Sequence, residues 1–321
     1  MLDTAAPYGN GSIVTPLPWQ RQVWDRLAAT FNQGSLSHAY LIQAEQGTGA
    51  EQLADAMLSA LLCESDALHA CGECESCQLL KAGTHPDAFK LGLEDTAVLK
   101  VDQIRAAIRF STGTAARGGY RCIVITPAEA MNVNAANALL KLLEEPGEKT
   151  VLMLVSYLVN AVPATVKSRC QIITPSITRS HIAEVERYFD QYGVGQAYYS
   201  DYYFNRPLLA LAESAKDAQP SKVQVEQVFE DLLNRVADST EFYDRLKNIE
   251  PVLLVDHLYL ACLNTLQNKQ SDNHHQLYQA IDQLIEFKRL ISDGGTINHA
   301  LFYQRWCTQL VVKNQETRLW A

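Results

Sequence analysis

The stretch from Asn132 to Cys170 constrains the fold most. Between Asn134 and Glu145 it reads NAANALLKLLEE, which puts Ala135, Leu139 and Leu142 on one helical face with Ala136, Leu140 and Leu143 beside them. A face that broad has to be buried. Asn132 or Asn134 can cap the start through its side-chain oxygen. Pro146 lacks a backbone N–H and disfavours helix in the residue before it, so the helix is expected to end at Glu145. Val151 to Ser156 (VLMLVS) is then an uninterrupted apolar run of strand length, the pattern of a strand covered on both faces. Helix and strand form one α/β unit whose leucines are core. Arg169 falls outside that logic, in the short segment before the next apolar run, Gln171 to Thr174. Taken alone, it reads as a surface or sheet-end arginine paired with a carboxylate.

At 321 residues the chain exceeds the size at which one core usually stops growing, about 250 to 300 residues, so two or three domains are expected. Charge is 27 basic against 36 acidic side chains, a net of −9, which argues against wholesale wrapping of nucleic acid and leaves room for a local basic patch. The start of the sequence has no signal-peptide pattern, and no run reaches the roughly 18 apolar residues of a membrane helix, so a cytoplasmic location is expected. In that compartment eight cysteines point to metal binding where they cluster rather than to disulfides.

Met1 to Thr15 is a polar, Gly-rich lead-in without periodicity, and Trp19 to Phe31 is helical, with Val23, Leu27 and Phe31 on one face. Ala39 to Gln43 (AYLIQ) reads as a strand. It runs into Ala44-Glu-Gln-Gly47-Thr48-Gly49-Ala50-Glu51 and then a helical pattern to Leu62. Strand, Gly-rich loop, helix is the context of a phosphate-binding loop. Its chemistry is wrong for ATP. A leading Gly, a Lys for the β and γ phosphates and a Ser or Thr for magnesium are needed, and Ala44, Ala50 and Glu51 stand there instead. Gly47 and Gly49 are expected to serve the turn alone. The apolar strand Arg121 to Thr126 should end in carboxylates that hold magnesium and polarise water, but it ends in Thr126 and Pro127; Glu129 comes two residues late and is expected to be solvated.

Cys71-Gly-Glu-Cys74-Glu-Ser-Cys77 is a compact CxxCxxC run, with Cys63 upstream. Four thiolates around Zn²⁺ make a closed, structural site, and Gly72 supplies the tight knuckle between the first two. Cys63 is favoured as fourth ligand over His69 and His85. Glu73 and Glu75, with no aromatic or basic flank, oppose direct nucleic-acid binding by the knuckle. Cys122, Cys170, Cys262 and Cys307 are scattered in apolar surroundings and read as core or inert. Lys141 and Arg117 have the ordinary reading of cations on a solvated face.

HAYLIQ (His38 to Gln43), the cysteine insert, GTHPD (Gly83 to Asp87), ANALLKLLEEP (Ala136 to Pro146) and Ser168-Arg169-Cys170 together resemble the AAA+ clamp-loader family of bacterial DNA polymerase III. These motifs lie within about the first 175 residues. The resemblance implies a P-loop-type parallel sheet core with a zinc insert (1–175, cysteines within 63–77), a small helical lid (176–214) and an all-helical collar (221–321) through which five subunits pack into a ring. It implies, more narrowly, the stator of that ring, a component of the polymerase holoenzyme with no ATPase or polymerase chemistry of its own. Its partners would be the tau or gamma and delta subunits, which include the ATP-binding neighbours, with the sliding clamp and primed DNA met through the complex and no membrane. Carried over by position, Cys63, Cys71, Cys74 and Cys77 hold structural Zn²⁺, and Arg169 reaches ATP on a neighbour as a trans-acting finger. An active subunit would carry an arginine at Leu208; Arg206 is displaced by two and unassigned. An active ATPase with a divergent loop and a zinc-knuckle nucleic-acid binder are the alternatives.

Past Pro175, Thr178 to Tyr192 reads as one helix, with another opening at Arg206 to Leu211. Ala215 to Lys222 reads as a linker broken by Pro220. Helices follow to Leu319, including Val252 to Leu266, Leu277 to Ile291 and Asn298 to Val312, with a break at Gly294-Gly295.

Overall fold

The computed structural model describes residues 13–65, 68–93, 98–158, 161–215, 221–268, 274–292 and 298–312. Most of the lead-in, most of the proposed linker and the Gly294-Gly295 break lie outside them. The chain forms two compact units, residues 3–212 and a second that holds residues 213–321.

The first unit is built on five parallel strands, β1 (Ala39–Gln43), β2 (Ala88–Leu91), β3 (Arg121–Ile125), β4 (Thr150–Ser156) and β5 (Gln171–Ile173), in the order β2-β3-β4-β1-β5. Its helices are α1 (Arg21–Asn32), α2 (Ala50–Leu62), α3 (Glu75–Lys81), α4 (Val101–Ser111), α5 (Val133–Glu144), α6 (Ala164–Lys167), α7 (Ile182–Tyr192), α8 (Asp201–Phe204) and α9 (Pro207–Ser214), the last ending two residues beyond the unit boundary. All residues of β1 and β4 are buried, as continuous apolar runs between two helical layers require. Alternation sorts them by face. Tyr40, Ile42, Met153 and Val155 pack with Leu27, Leu53 and Met57 on one side of the sheet. Leu41, Ile123, Leu152 and Leu154 pack with Ile104, Leu139 and Leu142 on the other.

Helix α5 starts where the sequence says it should. Asn132 is the cap, its side-chain oxygen accepting the N–H of Ala135 at 2.8 Å, and the helix stops at Glu144, one residue early, with Glu145 as C-cap ahead of Pro146. Leu139 is fully buried. Leu139→Ala is therefore expected to lower the stability of this unit by about 2–5 kcal/mol, read from the midpoint of denaturant unfolding. The segment from Thr178 departs from one continuous helix. A 3₁₀ turn spans Arg179–His181, and the backbone N–H of Thr178 donates to His181 Nδ1 at 3.0 Å, so the α-helix begins only at Ile182.

The second unit is helical among its described residues: α10 (Ser221–Leu233), α11 (Ser239–Leu246), α12 (Pro251–Asn268), α13 (His274–Ser292) and α14 (His299–Val312). Ser221 and Lys222, read as linker, open α10 instead. Phe229, Phe242, Leu258, Phe287 and Trp306 form its centre, and the Trp306 indole N–H donates to the Ala280 carbonyl at 3.1 Å. Burying an indole requires such a partner. No described helix is long and apolar enough to cross a membrane.

Candidate functional site

In this strand order β1 lies between β4 and β5, so the loop after β1 occupies the crevice at the carboxyl ends of the strands where open α/β sheets bind ligands. Gly47 and Gly49 have φ of +88° and +100°, which only glycine adopts at little cost. The loop is covered by its own chain. Leu208 N–H donates to the Gly47 carbonyl (3.0 Å), the Trp19 indole to that of Thr48 (2.9 Å) and the Gln20 amide to that of Gly49 (2.7 Å). Gly47, Thr48, Gly49 and Ala50 are buried as a result. Arg206, the displaced arginine, ion-pairs with Glu45 at 2.7 Å and lies over the Tyr202 ring. Trp19 also meets Tyr188 of α7 edge-on.

Glu51 lies in the first turn of α2, where the helix dipole favours an anion. In a nucleotide-binding loop that anion is a phosphate. Here the chain supplies it: Glu51 Oε1 accepts from the hydroxyls of Thr126 (3.0 Å) and Tyr157. Burial, then the Glu51 carboxylate, pushes the Tyr157 phenol far above its usual range, so it remains a donor. Glu129 corrects the expectation of a solvated carboxylate. Its Oε1 accepts the Tyr157 N–H at 3.0 Å, its Oε2 is buried, and burial raises its pKa. The positions where metal and phosphate chemistry would be housed are thus bonded to one another. Restoring the motif's residue types with Ala50→Lys and Glu51→Thr is expected to leave ATP binding undetectable by calorimetry, as in the unaltered chain. Leu17, whose side chain leaves no room for a Cβ on Gly49, and Leu208, bonded to the Gly47 carbonyl, still close the loop.

The cysteine knuckle is assembled with all four expected sulfurs. Cys63, Cys71, Cys74 and Cys77 have Sγ atoms within 4.8 Å of one another, with Cys63 to Cys74 at 3.9 Å and Cys71 to Cys77 at 4.0 Å. A tetrahedral ion bonded to sulfur at about 2.3 Å needs sulfurs about 3.8 Å apart, so the set fits. Backbone N–H groups of Cys71, Cys74 and Cys77 point at the sulfurs of Cys63, Cys71 and Cys74 at 3.3–3.4 Å. Gly72 makes the turn at φ +78°. Burial raises Cys63, but hydrogen bonds with Ser65 and Cys71 outweigh it and bring it down to about 6, while burial pushes Cys77 up to about 12. Sulfurs this close do not all ionise without a cation between them. His69 is exposed, and His85 is buried with Nδ1 accepting the Asp87 N–H at 3.0 Å.

Arg117 is no ordinary surface cation. Its Nη2 donates to Glu64 (2.8 Å), next to Cys63, and to Glu75 (2.7 Å), next to Cys74, and Glu64 in turn accepts from the N–H and hydroxyl of Ser76. Buried Asp87 holds the same turn through the N–H groups of Ala116 and Arg117 (2.8 and 3.0 Å). This clasp ties the knuckle to the sheet, and only the aspartate of GTHPD hinted at it. Lys141 is exposed.

Arg169 follows α6 and precedes β5, at the amino end of the sheet. Gln171 pairs with Tyr40 while the Gly-rich loop starts at Ala44, four residues further along β1, so the two are separated by at least about 13 Å along the strands. Arg169 therefore belongs to a different end of the sheet from its own chain's loop. Its side chain is 37% exposed; Nε and Nη2 donate to Glu144 Oε1 at 3.1 and 2.7 Å, and Nη1 to the Thr165 carbonyl at 3.0 Å.

Comparison with known proteins brings these observations together. Residues 19–176 match the family described as DNA polymerase III, delta subunit. The chain is 47% identical over 155 residues to the DNA polymerase III subunit delta' of Pseudomonas aeruginosa (48% of this chain, 46% of the relative) and 39% identical over 157 residues to that of Escherichia coli (48% and 47%). It thus spans about half the length of the curated relatives it matches. A crystal structure of a DNA polymerase III gamma subunit-related protein from Thermotoga maritima aligns over 93% of this chain and 100% of that one, with TM-score 0.47 and 17% identity.

Proposed function

Residues 19–176 belong to the DNA polymerase III delta-prime family, and from that premise we propose that this chain is the non-hydrolysing AAA+ subunit of a clamp loader. It works in the cytoplasm with tau or gamma and delta subunits, helping to place the sliding clamp on primed DNA. The observation that carries the reading is the pairing of a self-closed loop with an arginine at the opposite end of the sheet. Glu51, Thr126 and Tyr157 satisfy each other where magnesium and phosphate would go, so the chain has no chemistry of its own to offer ATP. Arg169 is exposed and distant from that loop, so any phosphate it serves is on another subunit. A guanidinium against the γ-phosphate neutralises charge that develops during transfer.

The ion at Cys63, Cys71, Cys74 and Cys77 is read as structural zinc: a four-thiolate set leaves no position for water or substrate. Helices α7 to α9 serve as the lid, and the helical unit from Ser221 is the collar by which the subunits assemble. The test is omission. A loader reconstituted from tau or gamma and delta is expected to place little clamp on primed DNA until this chain is added. Full loading without it would overturn the reading.

A further inference from the structure

We propose that Glu144 is the positioning residue of Arg169, holding the phosphate-matching edge of its guanidinium until polyphosphate on a neighbouring subunit displaces it. The proposal rests on the reading of Arg169 as a finger that acts in trans. The Nε/Nη2 edge of an arginine is a fork whose two N–H bonds suit carboxylate and phosphate alike. In this chain both bonds of that edge end on Glu144 Oε1. The carboxylate thus takes the contacts that a γ-phosphate would make, and the two compete.

The remaining contacts decide what release would look like. Nη1 is anchored on the chain's own backbone at Thr165, with Ser168 Oγ at 3.4 Å, so the side chain stays aimed while its other edge is free. The bond to Glu144 is built to be lost. Its two donors converge on one oxygen instead of matching fork to fork. Glu144 is 53% exposed and Arg169 37%, so water screens the pair. A polyphosphate carries more charge and more acceptor oxygens than one carboxylate and wins the exchange. The placement of Glu144 points the same way. It is the last residue of α5, and a carboxylate at a helix C-terminus opposes the dipole. Helix stability gives no reason for it there, whereas a latch on Arg169 does.

The experiment compares loaders assembled with unaltered chain, Glu144→Gln, Arg169→Ala and the double variant, after equal assembly is verified. ATP turnover is measured with and without primed DNA and clamp. Glu144→Gln is expected to raise unstimulated turnover by about two- to fivefold, the range of an exposed ion pair, and so narrow the stimulated-to-unstimulated ratio. The rise should vanish in the Arg169→Ala background, while the melting temperature of the isolated chain holds. Unchanged or lowered turnover with Glu144→Gln, where Arg169→Ala alone is damaging, would overturn the latch and leave the finger. An equal effect of Glu144→Gln in both backgrounds would overturn it too, because the residue would then act through α5. No effect of Arg169→Ala would overturn finger and latch together.

Discussion

Arg169→Ala, in a loader shown to assemble normally, is expected to slow ATP hydrolysis at the site this chain completes by about 10³-fold or more, the range of fingers that stabilise phosphoryl transfer. Steady-state turnover of the whole complex should then fall to what the other sites supply, and clamp loading should fall with it. Arg169→Lys is the sharper companion. It keeps the positive charge but replaces a planar fork by a single ammonium, so it should recover only a small part of the rate. The melting temperature of the isolated chain should barely move, because the pair with Glu144 is exposed and worth about 0.2–1 kcal/mol. That contrast separates a role in chemistry from one in packing. Unchanged turnover in the assembled complex would return Arg169 to an ordinary sheet-end ion pair.

How far the sequence revealed this site depended on how local each part is. The knuckle is legible because its ligands fall within fifteen residues and the turn that gathers them is written as Gly72. Strands β1, β3 and β4 and helix α5 are legible because a parallel sheet between helices needs continuous apolar runs and the helix needs its cap and its stop, all local in sequence. What could not be read joins distant segments. Thr126 and Pro127 were recognisable as missing carboxylates, but that Thr126 and Tyr157 would both turn to Glu51 depends on β1, β3 and β4 ending side by side. Glu129 departs from its sequence reading for the same reason: Pro127, Ala128 and Ala130 beside it do not reveal what covers its carboxylate, and its burial comes from the strand end that carries Tyr157. Arg117 lies 53 residues from Glu64 and 42 from Glu75, and no periodicity links them. The cover over the Gly-rich loop comes from Trp19, Gln20 and Leu208 together, residues that read as ordinary helix or lid positions one at a time.

The second large effect is expected at the knuckle. The chain as purified should carry one zinc ion, measured by atomic emission, and Cys74→Ser should lose it. Cys74 is the informative choice because it is only partly buried, so the serine leaves no cavity in the core to confuse the result. Without a cation the four sulfurs are in conflict, one pushed toward ionisation and another away from it. Losing the metal should therefore open the segment from Cys63 to Cys77 and, through Arg117, loosen the turn held by Asp87. A loss of about 2–3 kcal/mol in a unit of this size corresponds to a fall in melting temperature of about 5–10 °C, and a strong chelator should produce the same fall in the unaltered chain. Arg117→Ala divides the two contributions. It should leave the metal in place and lower the melting temperature by a smaller amount, since it removes the clasp and keeps the ligands. Full metal content in Cys74→Ser would mean that the ion is not held by these four sulfurs, and the clasp would then be the structural reason for the knuckle's shape.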